Sequence, residues 1–439
     1  MGGGRATSRG TVVFVEETNG RHGISTIAGG EYQSVSVPPM MGKARTRAIG
    51  LCQVCLRGTF RRLVTSVLGL CLFFAAVPCP AAADLQNASL AVPQAQVNPE
   101  VMRLPVIDGN DIRFTHVSTT QGLSQTRVPS AVKDDQGFMW FGTQYGLNRY
   151  DGNSFRLFAH DPRNPNSFSG VYITALFKDR EGRLWIGCEQ FLERFEPRTE
   201  TFTRYLIRGV SHISQDSAGQ LWLATGTGLW SLDPATGQTH QYSHDPNEPL
   251  SLSSSEVKSS GEDRNGRFWV VNSEGLDEFD RKTGKVNLHV PLREPLPEFS
   301  FYEDHLGVFW IIYPSANGLA VFDRKTNTLT RYSIFDQQQP SNILTGVMAV
   351  LEDRNGTLWF GTRGAGLLKF DREHQTFIRY RNSPADPESL PENYILSLCE
   401  DQEGGIWAGF ESQGLAHFDP DMPASWSDQR QALGIAPNH

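Results

Sequence analysis

Beyond its first 83 residues the chain is nearly without cysteine. Of six, Cys52, Cys55, Cys71 and Cys79 stand in that leading segment, and only Cys188 and Cys399 remain in the body. Two thiols in different repeats cannot make a disulfide framework, so they are expected to be buried and unlinked. Positive charge is also scarce there. The first 83 residues take nine of the 40 Lys+Arg and three of the 48 Asp+Glu, which leaves 31 against 45 in residues 84–439, a net of −14. A body with that balance and no basic stripe lacks the cations that replace counterions along phosphates, which excludes nucleic acid as a partner. The eleven histidines show neither HExxH nor clustered metal-ligand spacing, so no metal is expected. The glycine-rich TGTGLW at 225–230 runs from one strand into another rather than into a helix, so it is no phosphate loop and no cofactor is implied.

Long apolar runs are equally sparse. One exists, LVTSVLGLCLFFAAV at 63–77, preceded by Arg57, Arg61 and Arg62 and followed by PCPAAA. A positive flank, a short apolar core and small residues at Ala81 and Ala83 describe a secretory signal peptide, and 15 residues are short for a membrane span. The expected organisation is a leader over 1–83, a linker over 84–105, one folded domain over 106–422 and a polar tail over 423–439. Export to the periplasm or beyond follows. The mature chain is expected to have no membrane span, and the CQVC at 52–55 to be no redox motif.

What the body does have is a repeat. The pattern Asp-x-x-Gly-x-(apolar)-Trp occurs seven times, with Asp134, Asp179, Asp216, Asp263, Asp304, Asp353 and Asp401 each six residues before Trp140, Trp185, Trp222, Trp269, Trp310, Trp359 and Trp407. The tryptophans follow one another at 45, 37, 47, 41, 49 and 48 residues. Each unit reads as four short strands; in the sixth these are GVMAVLED, LWFGT, LLKFD and TFIRY, joined by Gly- and Asn-bearing turns. The glycine suits positive φ, the aspartate suits acceptance of turn N–H groups, and the tryptophan supplies a large face to bury between sheets. A four-stranded meander repeated every 40–50 residues predicts an all-β, seven-bladed β-propeller. The seventh unit has no fourth strand, and IRFTHV at 112–117 is expected to supply it and close the ring.

The stretch GLSQTRVPSAVKDDQGFMWFGTQYGLNRYDGNSFRLFAHDPRNPNS (122–167) resembles the two-component regulator propeller repeat. The phrase His160-Asp161-Pro162-Arg163-Asn164, echoed at His244–Asn247 and in altered form at Ser383–Pro387, supports the likeness. The resemblance implies the extracytoplasmic sensor region of a hybrid histidine kinase, responding to polysaccharide fragments. The second propeller, β-sandwich, membrane helix and kinase core of that family have no counterpart in the sequence to His439. Any signal would then pass through a separately encoded kinase or second propeller. Sialidase Asp boxes and WD repeats fit worse, since the first put Asp five residues before the aromatic and the second end a strand in Trp-Asp.

A ligand site must lie in what differs between blades. Loops joining second to third strands, and fourth to next first strands, share one face, and function on such scaffolds sits in loops. Tyr145, Tyr313 and Phe410 are expected to stack on sugar rings. Gln144, Gln190, Arg363 and Glu411 suit hydroxyls or a uronate, and Arg127, Tyr172 and Tyr394 join them from the inter-blade loops. The reading is a non-catalytic, oligosaccharide-recognising sensor. The alternatives are a secreted polysaccharide lyase or hydrolase using Glu189, Glu274 or Glu411, and a truncated gene fragment.

Overall fold

The computed structural model describes residues 13–18, 21–26, 91–292, 300–312, 318–334 and 346–422. The chain divides into two units, Met1–Pro80 and Ala81–His439. In the first, Val13–Thr18 pairs antiparallel with Arg21–Thr26. The expected signal-peptide core at 63–77 and the tail at 423–439 lie outside the described residues.

In the second unit the repeated motif is a hydrogen-bonded clasp. One oxygen of each motif aspartate accepts the N–H groups two and four residues on, and its other oxygen accepts the indole N–H of the tryptophan. For Asp353 these are Asn355 N and Thr357 N, both at 2.9 Å, and Trp359 Nε1 at 2.8 Å. The indole bond recurs in all seven units, from 2.7 Å at Asp134 to 3.1 Å at Asp401. Between them the glycine takes positive φ, as at Gly356 (78°), where a Cβ would be strained. The aspartates are therefore structural.

Each clasp starts a meander. Blade 1 is Ser130–Lys133, Met139–Thr143, Gly146–Tyr150 and Phe155–Phe158, and blade 2 is Ile173–Lys178, Leu184–Cys188, Leu192–Glu196 and Thr201–Tyr205. Blade 3 starts at His212–Gln215, blade 4 at Val257–Glu262, blade 5 at Ser300–Glu303, blade 6 at Val347–Glu352 and blade 7 at Ile395–Glu400. These first strands neighbour one another around the axis. Second strands are buried along their whole length, as in Leu358–Thr362, because the sheets on both sides cover them. The core accordingly splits into seven clusters, one per interface between blades, each holding the tryptophan of the earlier blade. The seventh joins Trp407 of blade 7 to Met139 and Phe141 of blade 1, so the ring is closed. Burying an indole stabilises by on the order of 3 kcal/mol, a sum that no blade gains alone.

The closing strand is Thr115–Val117, antiparallel to Leu415–Phe418, with Ile112 and Phe114 buried between blades 6 and 7. The expected linker needs correction. Residues 96–103 are a strand, parallel to Thr328–Ser333 of blade 5, and Val106–Asp108 adds likewise to Thr376–Tyr380 of blade 6. Gln94 bridges to His289 on blade 4. The segment thus runs as a belt along the outer edges of blades 4 to 6 before it closes blade 7. Its side chains are mostly exposed and backbone hydrogen bonds hold it, so it left no apolar alternation to read. Pro99 falls within the break in register between Val97 and Val101, where no donor is needed.

Candidate mouth of the central channel

Up-and-down strands put the Asp-x-x-Gly turns at one end of the ring and the second-to-third loops at the other, with the loops that enter each first strand. This second end is the mouth. Its entry loops are anchored from below by buried polar side chains on third strands. Ser124 N donates to Asn148 Oδ1 (3.0 Å), Ser169 N to Glu193 Oε2 (3.2 Å) and Ser253 N to Asp277 Oδ2 (2.9 Å). Asn148, Glu193 and Asp277 are all fully buried. Arg204 donates to Glu193 (3.0 Å), and the ring of His289 lies 2.7 Å from Asp277. Sequence reasoning missed these three anchors, although each stands 24 residues after its serine. Register breaks between Ile173 and Ala175, Val257 and Ser259, Val347 and Ala349, and Ile395 and Ser397 mark bulges at the mouth ends of four first strands, which re-aim the residues there.

The HDP phrases are self-closed turns. Asp161 N donates to Ser167 Oγ (3.0 Å) while that hydroxyl donates back to Asp161 O, and Asp245–Ser251 and Ser383–Ser389 repeat the pattern. The rings of His160 and His244 bond the carbonyls of Phe168 and Leu252, and Asn382 does the same for Leu390. These histidines hold turns.

Two clusters unite residues from different blades at the mouth. Arg127 Nε donates to Glu411 Oε2 at 2.9 Å, its Nη1 donates to the Tyr172 hydroxyl, and its guanidinium lies 5.6 Å from the centre of the Tyr172 ring. Blades 7, 1 and 2 meet there. Beside them the Arg363 guanidinium of blade 6 lies 5.3 Å from the Tyr394 ring centre of blade 7. The Glu411 N–H donates to the Tyr394 carbonyl, so the clusters share backbone. Tyr145 stands out, 63% exposed. Gln190 is exposed and Gln144 half-buried, and neither side chain bonds another described residue.

Two expected residues change status. Phe410 is fully buried between blades 6 and 7 and is no stacking platform. It ends a second strand, where Thr143, Thr225 and Thr362 are also buried and donate to glycine carbonyls across the turn. Tyr313 lies outside the described residues. Cys188 is buried, which pushes its thiol far up, and burial likewise pushes Cys399 to about 12. Both are unlinked and poor nucleophiles.

Residues 122–145, 167–190, 343–364 and 389–412 match the two component regulator propeller model. Segments of four blades, the first, second, sixth and seventh, are thus similar to two-component regulator propeller repeats. The residues of both mouth clusters fall within these windows. The extracellular domain of the hybrid two component system BT3049 of B. thetaiotaomicron superposes with a TM-score of 0.60 at 24% identity, over 70% of this chain and 42% of that one. Virginiamycin B lyase from Staphylococcus aureus, in a catalytically inactive form with quinupristin, gives 0.51 at 13% identity, over 70% and 99%. Likeness at those identities shows the shared propeller fold. Among curated proteins, histidine kinase P4 of Formosa agariphila is 36% identical over 56 residues, 13% of this chain and 4% of the kinase. The chain thus spans less than half the length of the two-component proteins it matches.

Proposed function

We propose that this propeller is the ligand-recognising module of a two-component signalling system, acts outside the cytoplasm, and takes oligosaccharides at the mouth. One observation carries the reading: loop residues of different blades, Arg127, Glu411 and Tyr172 with Arg363 and Tyr394 beside them, converge at the mouth. Guanidinium–tyrosine stacks beside a carboxylate offer ring faces together with donors and acceptors for hydroxyls. The three-blade cluster also suits signalling. A ligand bridging blades 6, 7, 1 and 2 favours one packing of the ring, and differential affinity for two packings is all that a sensor needs. Transmission would fall to a kinase or second propeller that shares the pathway.

Glycoside cleavage by paired carboxylates needs two of them flanking one bond. Glu411 is committed to Arg127, and Glu189 and Glu274 stand on blades 2 and 4, which are not neighbours. Binding without turnover is therefore the expected behaviour. The test is a thermal-shift screen of the purified chain against plant, algal and bacterial oligosaccharides, with mass analysis of the sugar. A higher melting temperature with intact sugar supports the sensor. Sugar shortened during incubation would replace it with the lyase or hydrolase.

A further inference from the structure

The two mouth clusters hold one arrangement in two states. Tyr172 and Tyr394 occupy equivalent positions, each directly before the first residue of a first strand, Ile173 and Ile395. Each receives a guanidinium on its face, Arg127 at 5.6 Å and Arg363 at 5.3 Å from the ring centre. At Tyr172 the stacked guanidinium is completed by a carboxylate from the chain itself, Glu411 at 2.9 Å. At Tyr394 no described residue completes Arg363, although the side chain is half-buried. The nearby acids are committed. Glu411 serves Arg127, and Glu392 accepts Ser412 N (2.6 Å), Ser412 Oγ (2.8 Å) and Gln413 N (3.2 Å).

Arg363 is also held in place, and the described residues leave it open. Its N–H donates to Gly346 O at 2.8 Å, and Gly364 N and Gly366 N both donate to Asn393 O, which pins the loop to the residue before Tyr394. The rest of that loop is Gly364, Ala365 and Gly366, so no side chain of the loop covers the guanidinium. A pre-oriented, partly desolvated guanidinium without an anion is a site for one.

We propose that the ligand of this mouth is an acidic oligosaccharide, whose carboxylate or sulfate pairs with Arg363 as Glu411 pairs with Arg127. The anion lies in the plane of the guanidinium and the adjoining sugar lies over Tyr394. This rests on the oligosaccharide reading above and narrows it to one class.

The test uses matched pairs of probes: oligogalacturonate and its methyl ester, oligomannuronate and neutral mannan oligosaccharide, sulfated carrageenan oligosaccharide and its desulfated form. Each is titrated calorimetrically into the purified chain and into Arg363→Gln and Arg363→Lys, both checked for unchanged melting without ligand. The expected result is that the acidic member of one pair binds and its neutral partner does not. Arg363→Gln should weaken it by about 10- to 100-fold, Arg363→Lys less, and added salt should weaken wild-type binding. Whether the carboxylate or the sulfate pair responds names the anion. A neutral partner that binds equally, or an acidic probe that binds Arg363→Gln as it does wild type, overturns the inference and leaves the saccharide reading standing. If no probe binds, the saccharide reading itself fails, and the inference with it.

Discussion

Replacing Asp353 by alanine removes three hydrogen bonds and no ion pair, which makes it the cleanest probe of the clasp. Asn355 N and Thr357 N sit on a turn that water reaches, so their loss costs about 0.5–1 kcal/mol each. The Trp359 indole is different. It is fully buried, and its N–H, now 2.8 Å from Asp353, would be left without an acceptor at a cost of about 1–3 kcal/mol. The sum is roughly 2–5 kcal/mol. Unfolding entropy scales with length, so a domain of roughly 300 residues loses about 1.5 °C per kcal/mol, and melting should fall by roughly 3–7 °C. Asp353→Asn keeps a carbonyl oxygen for the turn but sets its amide NH2, a donor, against the indole N–H, so it should melt below wild type although it is nearly isosteric. Asp304→Ala should cost more than Asp353→Ala, because it also breaks the ion pair with Arg372 Nη1 (2.8 Å) and leaves that guanidinium only Glu352 (3.1 Å) to pair with among the described residues. Calorimetric melting of the three variants decides. A shift below about 1 °C for Asp353→Ala, or an Asp353→Asn variant as stable as wild type, would refute the clasp as a structural device.

Phe410→Ala should destabilise by about 3–5 kcal/mol in denaturant titration, whereas Tyr145→Ala should stay within about 0.5 kcal/mol; equal costs would put Phe410 back on the surface. Deleting residues 91–108 should raise hydrogen exchange in the outer strands of blades 5 and 6, Thr328–Ser333 and Thr376–Tyr380, and leave blades 1 to 3 unchanged. In the native protein, iodoacetamide at pH 8 should label neither Cys188 nor Cys399, and should label both in urea. Burial pulls His212 down to about 4. The unfolded chain takes up that proton near pH 6.5 and the folded chain does not, so stability drains away as pH falls from about 6.5 to 4. His212→Gln should flatten this part of the stability–pH curve, and an unchanged slope would mean that the imidazole is solvated.

Legibility in the sequence followed the kind of force at work. The blade frame was readable because the clasp needs the same three residues every time: an acceptor, a positive-φ glycine and an indole donor. Ring closure was readable because Ile112 and Phe114 carry apolar side chains into a cluster. The belt at 96–103 was not, since main-chain bonds hold it and most of its side chains face water. Phe410 misled because a phenylalanine beside a loop suggests a platform, yet its position matches the buried Thr143 and Thr362. The mouth clusters were legible as single residues and not as pairs. Arg127 and Glu411 are 284 positions apart, and only closure of blade 7 onto blade 1 brings them within reach.

Hydrogen-exchange mass spectrometry of the chain with and without the best-binding oligosaccharide tests the proposed sensor most directly, because it reports where a ligand rests. Protection should rise in residues 122–128, 363–366, 390–394 and 411–414, with the mass of the sugar unchanged. Protection confined to the Asp-x-x-Gly end or to the belt, or a sugar cleaved during the incubation, would contradict it.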